Sequence, residues 1–145
     1  MKAGTWKALG VVPVLCMVVV VAVSAAMGGC DKMIECTSGM MPMKCHWTFV
    51  AATFVGVAGV VSAVAALAAK TTEGRRVAAL MTIVVGAVVA VLPMDFVIGL
   101  CGNAEMECHR TALVVWVAVA VASVVALVQM AKATPADAEK PKLGL

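Results

Sequence analysis

The chain has 145 residues, of which 63% are hydrophobic and only 13% charged, with a mean hydropathy of +1.07. Soluble domains carry about 25% charged residues, and a chain this short leaves too much surface outside to hide that much apolar side chain. A water-soluble globule is therefore excluded, and the net charge of +3 sits in loops and ends, where it reads as membrane topology and not as a nucleic-acid footprint.

A membrane crossing needs about 20 apolar residues. Four runs meet this, at about 9–27, 48–69, 77–97 and 111–131, and none contains Lys or Arg. Backbone groups in lipid must be satisfied internally, so each run is expected to be a helix. The fold class is thus an all-α integral membrane protein, a four-helix transmembrane bundle. Residues 1–131 form the membrane domain and 132–145 a short disordered cytoplasmic tail rich in Ala, Pro, Lys and Glu.

The first residues are basic, with Lys2, Lys7 and the interfacial anchor Trp6. Pro13 falls near the start of the first run, where its missing N–H costs little. Cys16 reads as a small hydrophobe. The stretch ending Ala-Met-Gly-Gly-Cys also resembles a lipoprotein signal peptide with Cys30 as the lipidated residue, a reading that would remove the first span.

The first loop, 28–45, carries Cys30, Cys36 and Cys45 with Met33, Met40, Met41 and Met43. The second span has small residues at Ala52, Gly56, Gly59 and Ala63, a ridge on one face for close helix packing. Residues 71–76 make a tight turn, which forces the second and third spans into a hairpin. Asp95 is expected at the interface. The second loop holds Cys101 and Cys108, and the fourth span follows with Trp116.

Lys and Arg counts set the orientation. Eight lie on the side of the two termini and the middle turn (Lys2, Lys7, Lys70, Arg75, Arg76, Lys132, Lys140, Lys142), against Lys32, Lys44 and Arg110 on the other. Both termini are expected in the cytoplasm of a bacterial cell, in the inner membrane, with the cysteine loops facing out, where disulfides persist.

Met43-Lys44-Cys45-His46-Trp47-Thr48 returns as Met106-Glu107-Cys108-His109-Arg110-Thr111. Both copies read Met-x-Cys-His-x-Thr and each opens an apolar run. Two units of helix, cysteine loop, motif and helix are parallel repeats. A pseudo-twofold axis along the membrane normal is expected to bring the two Cys-His pairs together. Four spans with these two motif-bearing loops resemble the bacterial membrane family filed as domain of unknown function 4418, over about residues 5–131. The resemblance implies the fold and supplies no activity.

Three functions follow from the motif. In the first, Cys36–Cys45 and Cys101–Cys108 disulfides close short loops, each stabilising by roughly 2–3 kcal/mol. Thr48 and Thr111 support the helix starts and Trp47 anchors. The protein is then a non-catalytic accessory to a larger membrane complex, in contact with the bilayer and with no nucleic acid. In the second, Cys45, His46, Cys108 and His109 form an S₂N₂ set for zinc, with loop methionines suited to Cu(I). Axial haem ligation by the two histidines is a variant. This excludes disulfides at Cys45 and Cys108. In the third, the four-helix outline with cysteine loops resembles quinone-coupled thiol oxidases, which act by thiolate attack on a disulfide. The pairs here are spaced nine and seven positions, not as Cys-x-x-Cys. The residues favour a non-catalytic role.

Overall fold

The computed structural model describes residues 3–26, 33–36, 39–102 and 107–132, with side chains at 9–26, 43–102 and 107–131. Helices α1 (Ala3–Ala26), α2 (Lys44–Ala68), α3 (Thr72–Val91) and α4 (Glu107–Lys132) make the bundle. All four are long and apolar enough to cross a membrane. Each packs on two neighbours, α1 on α2 and α4, and α3 on α2 and α4, so the four form a ring. The short connection at 69–71 marks the hairpin end. At the opposite, cysteine end, Met43 and Cys45 of the α1–α2 side meet Cys101 of the α3–α4 connection.

A small element at the cysteine end was not foreseen. Strands β1 (Met33–Cys36) and β2 (Gly39–Pro42) pair antiparallel, Met33 opposite Pro42 and Cys36 opposite Gly39. Pro42 ends the ribbon, and Met43, in extended conformation, caps α2.

Helix bounds differ from the apolar runs for physical reasons. Helices α2 and α4 start four residues earlier than their runs, so Cys45 to Thr48 and Cys108 to Thr111 lie within the first turns of helix instead of leading into one. Charged Lys44 and Glu107 bound an apolar run, but they do not stop a helix at headgroup level. Helix α3 ends at Val91, short of residue 97, because Pro93 has no N–H to continue the ladder. Residues 92–98 turn instead, leaving Asp95 exposed. At the hairpin end, Thr71 caps α3 by accepting a hydrogen bond from Gly74 N at 3.2 Å, and Arg75 Nε donates to Ala69 O at 2.8 Å.

Pro13 lies well inside α1 and not in its first turn. A helical proline leaves the carbonyl four residues earlier without its donor. Here that carbonyl is Leu9 O, and Gln129 Nε2 of α4 donates to it at 2.9 Å. A polar residue in the fourth span is thus accounted for, since a neighbouring helix re-satisfies the backbone that the proline freed.

The ridge of Ala52, Gly56, Gly59 and Ala63 is buried, together with Cys45, Thr48 and Phe49. In α4 the buried residues are Cys108, Thr111, Ala112, Val115, Val119, Ala122 and Ala126. Cys45 matches Cys108, Thr48 matches Thr111, Phe49 matches Ala112, and so on to Ala63 and Ala126, at one constant offset. The bundle is tight at mid-depth. A Cβ on Gly59 would stand 2.9 Å from Met17 Sδ, and one on Gly86 would stand 3.1 Å from Val119 Cγ1. Ser62 and Thr82 join α2 to α3 at 3.2 Å, and Trp116 Nε1 donates to Ala90 O at 2.9 Å. The outward faces are apolar, with Phe54, Val61, Leu113 and Val117 exposed, as lipid contact requires.

Candidate metal centre

Three segments meet at the cysteine end. Cys45 lies in the first turn of α2, Cys108 in the first turn of α4, and Cys101 in the strap between α3 and α4. Their Sγ atoms all lie within 4.8 Å of one another. Cys45 and Cys108 are buried and Cys101 is half-buried. Phe49 closes the floor beneath Cys45 and Cys108, and Met43 and Leu100 pack against the same cluster.

Helical spacing explains the two motif cysteines. Positions i, i+3, i+4 and i+7 share a face. Cys45, Thr48, Phe49 and Ala52 therefore point inward together, as do Cys108, Thr111, Ala112 and Val115. Ring packing then turns the two inward faces toward one another.

Cys101 arrives by a different route. Gly99 has φ of +86°, a conformation that L side chains rarely adopt. It bends the chain back toward the bundle. Its carbonyl accepts a buried hydrogen bond from Thr48 Oγ1 at 2.7 Å. That bond fastens the strap to α2 one turn below Cys45. Cys101 Sγ then stands 3.1 Å from Cys45 Sγ and 3.8 Å from Met43 Sδ.

The histidines diverge. His109 Nδ1 is 3.6 Å from Cys108 Sγ. His46 instead sets its ring edge-to-face with Trp47, centroids 5.7 Å apart, and Trp47 is exposed. Neither imidazole is within the close sulfur group. Of the four residues expected to form an S₂N₂ set, the structure brings Cys45 and Cys108 together, adds Cys101, and leaves His46 outside.

Of the expected disulfides, Cys101–Cys108 is not formed: the two share one sulfur group without an S–S bond. Cys45 instead approaches Cys101 at 3.1 Å, a pair that was not expected and that is also beyond the about 2.05 Å of an S–S bond. The side chain of Cys36, and the whole of Cys30 with its lipidation reading, lie outside the described residues, as does the tail beyond Lys132. Thr111 Oγ1 donates to Glu107 O four residues back at 3.0 Å, while Thr48 Oγ1, whose proton goes to Gly99 O, also lies 3.3 Å from Lys44 O. Thr111 thus braces its first turn from within, and neither threonine caps its helix.

Two residues were missed as part of the site. Cys101 was read only as a disulfide partner, and Gly99 not at all. A glycine two positions before a cysteine, after a proline-ended helix, was the available signal.

A family model described as "Domain of unknown function (DUF4418)" matches residues 12–132. The chain belongs to this family. The matched stretch takes in both motif copies and the Cys101 strap. No curated protein and no solved structure matches the chain. The family description carries no activity, so function must come from the cysteine end itself.

Proposed function

We propose that this small multi-pass membrane protein holds a thiophilic d¹⁰ ion, Zn(II) or Cu(I), in an outward-facing cap, and serves as a non-catalytic accessory or sensor beside a larger membrane complex. The observation that carries the reading is the convergence of Cys45, Cys101 and Cys108 from three separate segments to within 4.8 Å. Thiolates about 2.3 Å from a tetrahedral ion stand roughly 3.8 Å from each other, so the three sulfurs are near ligating positions. A Cys₃ set suits zinc with a fourth ligand, and soft sulfur also suits Cu(I).

The excess of Lys and Arg at the hairpin end and in the termini supports an outward cysteine end. The constant offset between the buried faces of α2 and α4, and the ring order of the helices, support two parallel hairpins about a pseudo-twofold axis. The cap then lies on that axis. A non-catalytic role is supported by three polar side chains of the spans, Ser62, Thr82 and Gln129, which join helices; buried Ser24 is left without a hydrogen-bond partner.

The test is the metal content of the full chain purified in mild detergent under reducing conditions. Roughly one zinc or copper per chain is expected, falling to near background in Cys101→Ser. Reduced protein that takes up neither ion overturns the reading.

One observation favours a second reading. The 3.1 Å approach of Cys45 and Cys101 places a bridge between the two hairpins within a small movement. The cap would then be disulfide-stabilised, through that pair or through the within-loop pairs Cys36–Cys45 and Cys101–Cys108. A quinone-coupled oxidase would have to pass through such an oxidised cap. Non-reducing peptide mapping of protein from native membranes separates these pairings from a metal-bound, reduced cap.

A further inference from the structure

We infer that the cap selects Cu(I), with Met43 Sδ as the fourth sulfur beside Cys45, Cys101 and Cys108; this rests on the metal reading above and names its ion. Zinc in structural sites takes four N or S ligands in a tetrahedron, and its fourth ligand alongside three cysteines is normally another thiolate or an imidazole. Thioether is a ligand of soft ions, Cu(I) above all. The identity of the fourth donor therefore decides between the two metals.

Two side chains compete for that place. His109 Nδ1 lies 3.6 Å from Cys108 Sγ but outside the group formed by all three cysteines. It follows Cys108 directly in a helix, so it stands about 100° round the axis from the inward face. Met43 comes from the other side. As the residue capping α2 it is extended, and its sulfur lies 3.8 Å from Cys101 Sγ. It also packs against the buried cluster of Cys45, Phe49 and Cys108. The separation of 3.8 Å equals the roughly 3.8 Å expected between two sulfurs on one ion.

The surroundings agree with a soft ion. Phe49 and Leu100 line the cluster with hydrocarbon. Strand β2 leads directly into Met43.

The experiment uses the full-length protein in detergent, reduced and metal-free, titrated with Cu(I) against a chromophoric Cu(I) chelator and separately with Zn(II) against a zinc dye. Wild type is expected to take up one Cu(I) per chain. Met43→Leu, which keeps the apolar volume, is expected to weaken Cu(I) by at least about tenfold, since loss of an outer-shell partner alone costs roughly 10–100-fold. The same variant should leave Zn(II) affinity within error. His109→Ala should leave Cu(I) affinity unchanged. X-ray absorption at the copper edge should show sulfur scatterers only.

If Met43→Leu leaves Cu(I) affinity unchanged while Cys101→Ser abolishes it, Met43 is not a ligand and this inference fails although the metal cap stands. A nitrogen scatterer lost in His109→Ala has the same consequence. If wild type binds Zn(II) and not Cu(I), the selectivity is refuted; if it binds neither, the metal reading falls with it.

Discussion

The two copies of Met-x-Cys-His-x-Thr share four residues of six, and of the three described in both copies the cysteine and threonine are buried alike while the histidine is not. Cys45 and Cys108 are both buried against the same cluster, and Thr48 and Thr111 are both buried one turn below. The histidines part company. His46 lies edge-on to Trp47, and His109 beside the sulfur of Cys108, where the second copy has the exposed Arg110 in place of the tryptophan. Thr48 reaches across to the strap at Gly99 O, whereas Thr111 bonds only within its own helix. Helix geometry divides the motif in this way: positions one and four of Cys-His-x-Thr face inward, and the intervening pair faces the flanks. The repeat therefore supplies a shared pair of sulfurs, and the asymmetric strap supplies the third.

The largest expected effect tests whether the copies share one site. Cys45→Ser and Cys108→Ser should each remove essentially all bound metal, as read by elemental analysis of the purified chain. If either variant keeps half, the copies hold separate sites and the symmetric pairing is broken. Next comes the strap. Gly99→Ala forces a side chain into φ of +86° and sets a Cβ 3.1 Å from Asp95 Oδ1. The strain should cost about 1–3 kcal/mol, and Cys101 should become markedly faster to alkylate in the metal-free reduced protein. Gly102→Ala, where an added Cβ meets nothing within 4 Å, is the control and should do neither.

These residues also show what the sequence could reveal. The four helices were legible because lipid leaves hydrocarbon length as the governing variable, and Val-rich runs declare it. The small-residue ridge of α2 was legible because its spacing alone places Ala52, Gly56, Gly59 and Ala63 on one face. The ends were less so, since helices run past the hydrocarbon limit through Lys44 and Glu107. Pro13 was misplaced for the same reason, as the helix begins before the apolar run does. At the cap, Cys45 and Cys108 could be paired from the repeat. Cys101 could not be joined to them, because its position depends on a single positive φ and one long-range hydrogen bond from Thr48. Neither leaves a periodic trace. The histidines looked equivalent only while Trp47 and Arg110 were treated as interchangeable neighbours.

Thr48→Val and Thr111→Val sharpen the contrast at a smaller scale. Losing the bond to Gly99 O leaves a buried carbonyl without its donor and should cost about 1–2 kcal/mol, with weaker metal binding through a loosened strap. Thr111→Val gives up only a bond within its own helix, so it should be close to neutral and leave metal affinity unchanged. Unfolding in mixed micelles and the chelator competition together read both. Equal losses in the two variants would show that the strap contact carries no more than its counterpart, and would remove Thr48 from the cap's support.

The smallest effect concerns the other end of the same two helices. Gln129 of α4 corresponds, at the offset that relates the buried faces, to Ala66 of α2. The difference follows from their neighbours. Helix α1, against α4, carries Pro13 and leaves Leu9 O without a helical donor, while α3, against α2, has no proline within its Thr72–Val91 span. Gln129→Ala makes α4 resemble α2 and strands that carbonyl. Interhelical hydrogen bonds in membranes average about 0.6 kcal/mol, so a loss near that size is expected in micellar unfolding. Pro13→Ala restores the donor inside α1, so it should make Gln129→Ala nearly silent in a double-mutant cycle. If the cost of Gln129→Ala is the same with and without Pro13, the glutamine is not compensating for the proline, and the asymmetry between the two hairpins has another source.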